Sequence, residues 1–337
     1  MTSTPRVRHS FPLLASAVVL LTACSSGDGT PATGPSSTSG AAAGSTGARP
    51  DRAGPIDIGD GREIYLECHG NGSPTVVLVS GLGDSAEVWS MPPSGAAPSP
   101  SASSSSAASE AQAEPEPPAV YGDVARFTRV CAYDRPGTGG SRSTEVMQPT
   151  SAQTSADDLE RLLTTSGEAA PFVFVGHSYG GPIIRLFAAD HPDQVGGLVL
   201  VDALSEDLVA GLTPEQVTVF EALNAPPPQP GAETFDLTTV FTELRRSPPA
   251  PDVPVTVLTA DIPQLTPQVL ASGQLPPGVD QEFADALWAA QMAAQNELPA
   301  KFPRAVHVTD TRSDHYIQLG NPQLVIDSIR EIVDEVG

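Results

Sequence analysis

Basic residues are scarce: 17 Lys and Arg stand against 40 Asp and Glu in 337 residues, a formal charge of −23. Nucleic-acid binding needs basic patches, so that class is excluded. What remains is the acidic, solvated surface of an exported protein, and charge of this kind says little about fold. Long apolar runs are missing as well. The N-terminal apolar segment, Phe11 to Leu21, is too short for a comfortable membrane span. No Cys/His/Asp cluster has the spacing of a metal site, and no glycine loop has the phosphate-binding pattern. No metal and no cofactor are expected, and no internal repeat is visible.

What is present begins with an export signal. Arg6, Arg8 and His9 precede the apolar segment, which ends in Leu21-Thr22-Ala23-Cys24. That ending resembles a bacterial lipobox. The resemblance implies a signal peptide over 1–23, lipidation of Cys24 and anchoring to the outer face of the cell membrane. Residues 24–54 are rich in Ser, Thr, Gly, Ala and Pro. They lack the apolar groups needed to offset chain entropy, so a disordered tether is expected. A second low-complexity stretch, 91–119, reads as a surface insertion, because long inserts cost little outside a core.

The globular part, 55–337, is organised around Pro171–Phe187. Phe172-Val173-Phe174-Val175 reads as a buried strand, and Ile183 to Ala189 as a helix with an apolar face. Between them Gly176-His177-Ser178-Tyr179-Gly180 matches G-x-S-x-G, in which a strained strand-to-helix turn exposes a serine hydroxyl. Glycines two residues either side are expected where the turn leaves no room for a Cβ. Elsewhere Thr75–Val79, Phe127–Tyr133, Leu198–Val201, Val255–Leu258 and Ala305–Val308 read as strands alternating with helices. Ile56–Ile58 and Glu63–Cys68 read as a hairpin turned at Asp60-Gly61. A mostly parallel sheet covered on both faces follows. Residues 203–253, with helical pieces between Pro-rich breaks, read as a small cap after the sixth strand.

Four segments occur in an order that resembles the α/β-hydrolase superfamily: Ser80-Gly81-Leu82-Gly83, Tyr133 to Ser141, Gly176 to Gly181, and Asp314-His315-Tyr316. The resemblance implies the α/β-hydrolase fold and a Ser-His-Asp triad. Ser178 would be the nucleophile and His315, in the loop after the last strand, the base. The acid must orient the imidazole and stabilise the imidazolium. Asp202, ending the sixth strand, is the favoured candidate, with Asp261, after the seventh, as the alternative. The resemblance also nominates the backbone N–H groups of Leu82 and Tyr179 as an oxyanion hole, although Ser80 stands where many relatives have His. It makes the strands of Cys68 and Cys131 sheet neighbours, so a disulfide between them is expected in an exported protein. His69, His191 and His307 read as surface or core residues, and His177 as a packing residue.

The expected function is an exported, lipid-anchored, monomeric serine hydrolase that cleaves a carboxylic ester, less readily an amide, through an acyl-enzyme. Its expected partners are a small ester substrate and the membrane. Two alternatives stand beside it: a small-peptide aminopeptidase, and an inactive surface-binding protein on the same scaffold.

Overall fold

The computed structural model describes residues 51–93, 117–225 and 230–337. The signal peptide, Cys24, most of the tether and most of the 91–119 insertion lie outside the described residues. Eight strands form one sheet: β1 (Arg52–Gly59), β2 (Arg62–His69), β3 (Thr75–Val79), β4 (Val130–Tyr133), β5 (Phe172–His177), β6 (Val195–Val201), β7 (Val255–Leu258) and β8 (Ala305–Val308). Their order is β1-β2-β4-β3-β5-β6-β7-β8. β1 and β2 pair antiparallel, β2 pairs antiparallel with β4, and every later pairing is parallel.

The described helices are α1 (Val120–Val124), α2 (Ala152–Ser166), α3 (Gly180–Asp190), α4 (Pro214–Leu223), α5 (Leu237–Arg246), α6 (Pro267–Leu270), α7 (Gln281–Glu297), α8 (Ile317–Gly320) and α9 (Pro322–Val336). Period-two alternation along the strands builds two cores. Val77, Val79, Phe172, Phe174, Leu198 and Leu200 pack with α2, α3 and α5. Val76, Leu78, Val173, Val175, Val199 and Val201 face the other way and pack with α1 and α9. Strands buried on both faces explain the uninterrupted Val-, Leu- and Phe-rich runs.

The hairpin turns as expected. Asp60 and Gly61 have φ of 55° and 71°, the left-handed pair a two-residue loop requires. One boundary needs correction. The tether was expected to reach Gly54, but β1 starts at Arg52, and Arg52, Ala53 and Gly54 pair with Cys68, Glu67 and Leu66. Pro55 is tolerated there because β1 is an edge strand. Cys68 lies directly opposite Cys131, and the two are joined by a disulfide.

Candidate active site

The carboxyl ends of β5 and β6 supply two strained residues side by side. Ser178 follows β5 with φ of 49°, and Asp202 follows β6 with φ of 41°. This left-handed conformation is uncommon for residues with a side chain, and such outliers cluster at functional sites. The elbow glycines are there for space rather than dihedral freedom. A Cβ on Gly176 would sit 2.8 Å from the Gly180 carbonyl carbon, and one on Gly180 would sit 2.3 Å from the Val79 carbonyl oxygen. The serine is thus held up by close approach of β5, α3 and the end of β3.

His315 reaches the same place from the loop between β8 and α8. Its Nδ1–H donates to Asp202 Oδ2 at 2.6 Å. The Asp202 side chain is fully buried, and its Oδ1 accepts the Ala260 amide at 3.1 Å. Ser178, Asp202 and His315 line one cavity. Burial works to lower the His315 pKa, but the hydrogen bond and charge of Asp202, with the charges of Asp314 and Asp84, outweigh it and raise it above the ordinary histidine value. Asp261 lies elsewhere: exposed, it accepts the Ser313 amide at 3.0 Å and the Thr311 hydroxyl at 3.3 Å. Of the two candidate acids, the geometry brings only Asp202 to His315.

His177 braces His315. Its Nε2–H donates to the His315 carbonyl oxygen at 2.9 Å, and the two ring centroids are 4.7 Å apart. Burial, then the neighbouring His315, holds the His177 pKa well below the ordinary value, so this ring stays neutral. His307 lies in β8 and bonds Thr259, while His191 ends α3; neither lines the cavity.

The loop bearing Leu82 is clamped from three directions. The Arg135 guanidinium donates to the Ser80 and Gly81 carbonyls at 2.8 and 2.6 Å. Glu233 pairs with Arg135 at 2.6 and 2.9 Å and accepts the Gly83 amide at 2.8 Å. The peptides flanking Leu82 are therefore fixed. Tyr179 opens α3, where the first-turn amides have no intrahelical acceptor. Its ring is buried against Phe235 and does not line the cavity. Trp89 is likewise a core residue, donating to the Ser80 hydroxyl at 3.0 Å.

The cavity measures about 410 Å³. Leu204, Leu208, Phe220 and Leu223 come from the expected cap. A second wall was missed: Pro263, Leu265, Val269 and Leu275 from the segment after β7, and Leu287, Trp288 and Gln291 from α7. No Lys or Arg lines it among the described residues. Glu233 and Gln291 also escaped the sequence reading, because each lies in a segment without a motif.

Residues 74–291 match the alpha/beta hydrolase fold family, and the chain belongs to that family. An AB hydrolase superfamily protein of Gibberella zeae is 42% identical over 81 residues, 23% of this chain and 25% of that protein. The chain spans less than half the length of the curated relatives it matches. Among solved structures, Est816, described as an N-acyl homoserine lactone degrading enzyme, is 18% identical with a TM-score of 0.52, over 82% of this chain and 99% of that one. A thermophilic esterase from Thermogutta terrifontis is 19% identical with a TM-score of 0.51, over 85% and 99%. At these identities the likeness concerns the fold.

Proposed function

We propose that this protein is a serine hydrolase that cleaves an uncharged carboxylic ester through an acyl-enzyme. The observation that supports it most is the meeting of Ser178, His315 and Asp202 on one cavity, with His315 already bonded to Asp202 at 2.6 Å. A serine hydroxyl is unreactive near neutral pH until a base takes its proton during attack. In this reading Nδ1 of His315 is committed to Asp202, which leaves Nε2 to take the proton of Ser178. The oxygen adds to the ester carbonyl, and the developing oxyanion is met by the amides of Leu82 and Tyr179. The imidazolium returns its proton to the departing alcohol, and water repeats the sequence to release the acid.

The cavity supports an apolar arm on the substrate. Its described lining is more apolar than polar, with Leu the commonest residue, and holds no Lys or Arg to pair a substrate carboxylate. Among the described residues the one carboxylate lining it, Asp202, is engaged by His315, so an N-terminal ammonium finds no free partner there. That weighs against the aminopeptidase alternative. Lipidation at Cys24 and display on the outer face of the cell membrane complete the proposal.

Labelling by a fluorophosphonate probe tests it. Wild type is expected to label and Ser178→Ala to lose both the label and about a millionfold in kcat. A folded wild type that neither labels nor hydrolyses a panel of p-nitrophenyl esters sinks the reading. Incorporation of a fatty-acid analogue, abolished in Cys24→Ala, tests the anchor separately.

A further inference from the structure

Gln291 lies on the face of α7 that walls the cavity, with Ala284, Leu287 and Trp288 at helical spacing beside it. An amide among apolar neighbours is costly unless it is hydrogen-bonded. This one donates from Nε2 to Asp202 Oδ2 at 2.7 Å. The same oxygen accepts from His315 Nδ1 at 2.6 Å. Gln295, one turn further on, behaves differently. Its Nε2 donates to the Ala203 carbonyl at 2.7 Å and its Oε1 accepts from Thr259, so it fastens α7 to its surroundings without touching the acid. Two glutamines on one helical face therefore have two kinds of partner.

We infer that Gln291 is a positioning residue for the reaction, holding the shared oxygen of Asp202 so that its bond to His315 keeps one direction. The inference rests on the triad proposed above. A carboxylate oxygen offers two lone-pair directions. With one taken by α7 and the opposite oxygen taken by the Ala260 amide, the carboxylate cannot rotate, and one direction is left for the imidazole. The donor also disperses charge on Asp202 and so moderates its attraction for the imidazolium. Asp84 from the loop after β3, His177 from the end of β5, and Asp314 and Tyr316 from its own loop also face His315. None of these changes in the variants below.

Gln291→Met keeps the chain length, suits an apolar wall and removes the donor. In the full-length protein, kcat on p-nitrophenyl butyrate is expected to fall about tenfold, the scale of one hydrogen bond to a charged group, with a smaller change in KM. The acid limb of kcat/KM is expected to move to higher pH, and the low-field proton resonance of His315 Nδ1–H to shift. Gln291→Glu supplies a donor only while protonated. Its resonance should match wild type at low pH and depart from it as the introduced carboxyl ionises. A folded Gln291→Met with wild-type kcat, acid limb and resonance overturns the inference and leaves the hydrolase reading intact. If Gln291→Met does not fold, Gln291→Glu decides: a resonance that follows wild type throughout overturns the inference. If wild type cleaves no ester, the functional reading fails on its own, and the resonance alone decides: a shift supports the Gln291 contact and its absence overturns it.

Discussion

The ends of β6 and β7 make an instructive pair. Each strand is a short apolar run followed within three residues by an aspartate, Asp202 or Asp261. Yet one is fully buried on a left-handed backbone and accepts from Ala260, Gln291 and His315, while the other is exposed and accepts from Ser313 and Thr311. The difference lies in the partners. Asp202 holds a ring whose protonation can change during a reaction. Asp261 holds a backbone amide and a hydroxyl, neither of which titrates at ordinary pH. What a carboxylate faces is what makes it a candidate triad acid, and its position after a strand does not decide that alone.

The hardest blow to this comparison is Asp202→Asn. Asp202 accepts three N–H groups, and an asparagine has one carbonyl oxygen. Its NH₂ must confront either the Ala260 amide or the pair formed by Gln291 and His315. Confronting His315 forces the wrong tautomer on the ring, and kcat is expected to fall about ten-thousandfold, as in other triads. Measured beside it, Asp261→Asn should stay close to wild type. The reverse pattern would exchange the two assignments.

The pH profile sharpens the same contrast. In the proposed mechanism Ser178 needs neutral His315, and the His315 pKa is raised by Asp202 against the effect of burial. Activity should therefore fall as pH drops through a value above the ordinary histidine pKa. In the residual activity of Asp202→Asn this limb should move down, because the hydrogen bond and charge that raised it are gone. The limb in kcat/KM reports the free enzyme. A limb that does not move in Asp202→Asn would separate the observed titration from His315.

Glu206 provides a carboxylate whose partners are permanent cations. It receives two bonds from Arg185, at 2.8 and 3.0 Å, and lies 3.1 Å from Lys301. Burial works to raise its pKa, but these partners prevail and bring it to about 2. A pKa depressed in the folded state gives stability that is present above the unfolded value and lost as pH falls through the folded one. Wild type should lose this contribution between about pH 4.5 and pH 2, while Glu206→Gln should lack that part of the slope. At neutral pH Glu206→Gln should be less stable by about 2 kcal/mol in denaturant unfolding, with kcat little changed.

These cases show why some parts of the site were legible in the sequence. The elbow was, because close approach of backbones forbids a Cβ at Gly176 and Gly180 and so imposes a pattern on consecutive residues. The sheet was, because strands buried on both faces must be apolar throughout. The cap was legible only in part: 203–253 stood out by its Pro-rich breaks, whereas the wall from Pro263 to Leu275 depends on how a loop folds back. Glu233 and Gln291 left no mark, since their partners Arg135 and Asp202 are 98 and 89 residues away. A lone glutamine on a helix has the same local cost whether it meets water or a buried carboxylate.

The smallest effect is expected at Asp261, and it can still overturn the comparison. Two bonds would be lost in Asp261→Ala, from the Ser313 amide and the Thr311 hydroxyl. Thr311 keeps a second acceptor, the Thr259 carbonyl at 2.9 Å, while Ser313 is buried, so its amide must take water through the space left by the exposed Asp261 carboxylate. The loop should loosen slightly, lowering Tm by about 2–4 °C. Because that loop delivers His315, kcat should fall with it, by no more than about threefold, the equivalent of well under 1 kcal/mol. The acid limb should stay where it is, since the groups that chiefly set the His315 pKa are Asp202, Asp314 and Asp84 together with burial. An acid limb displaced in Asp261→Ala, with Tm unchanged, would mean that the carboxylate after β7 acts on the imidazole after all.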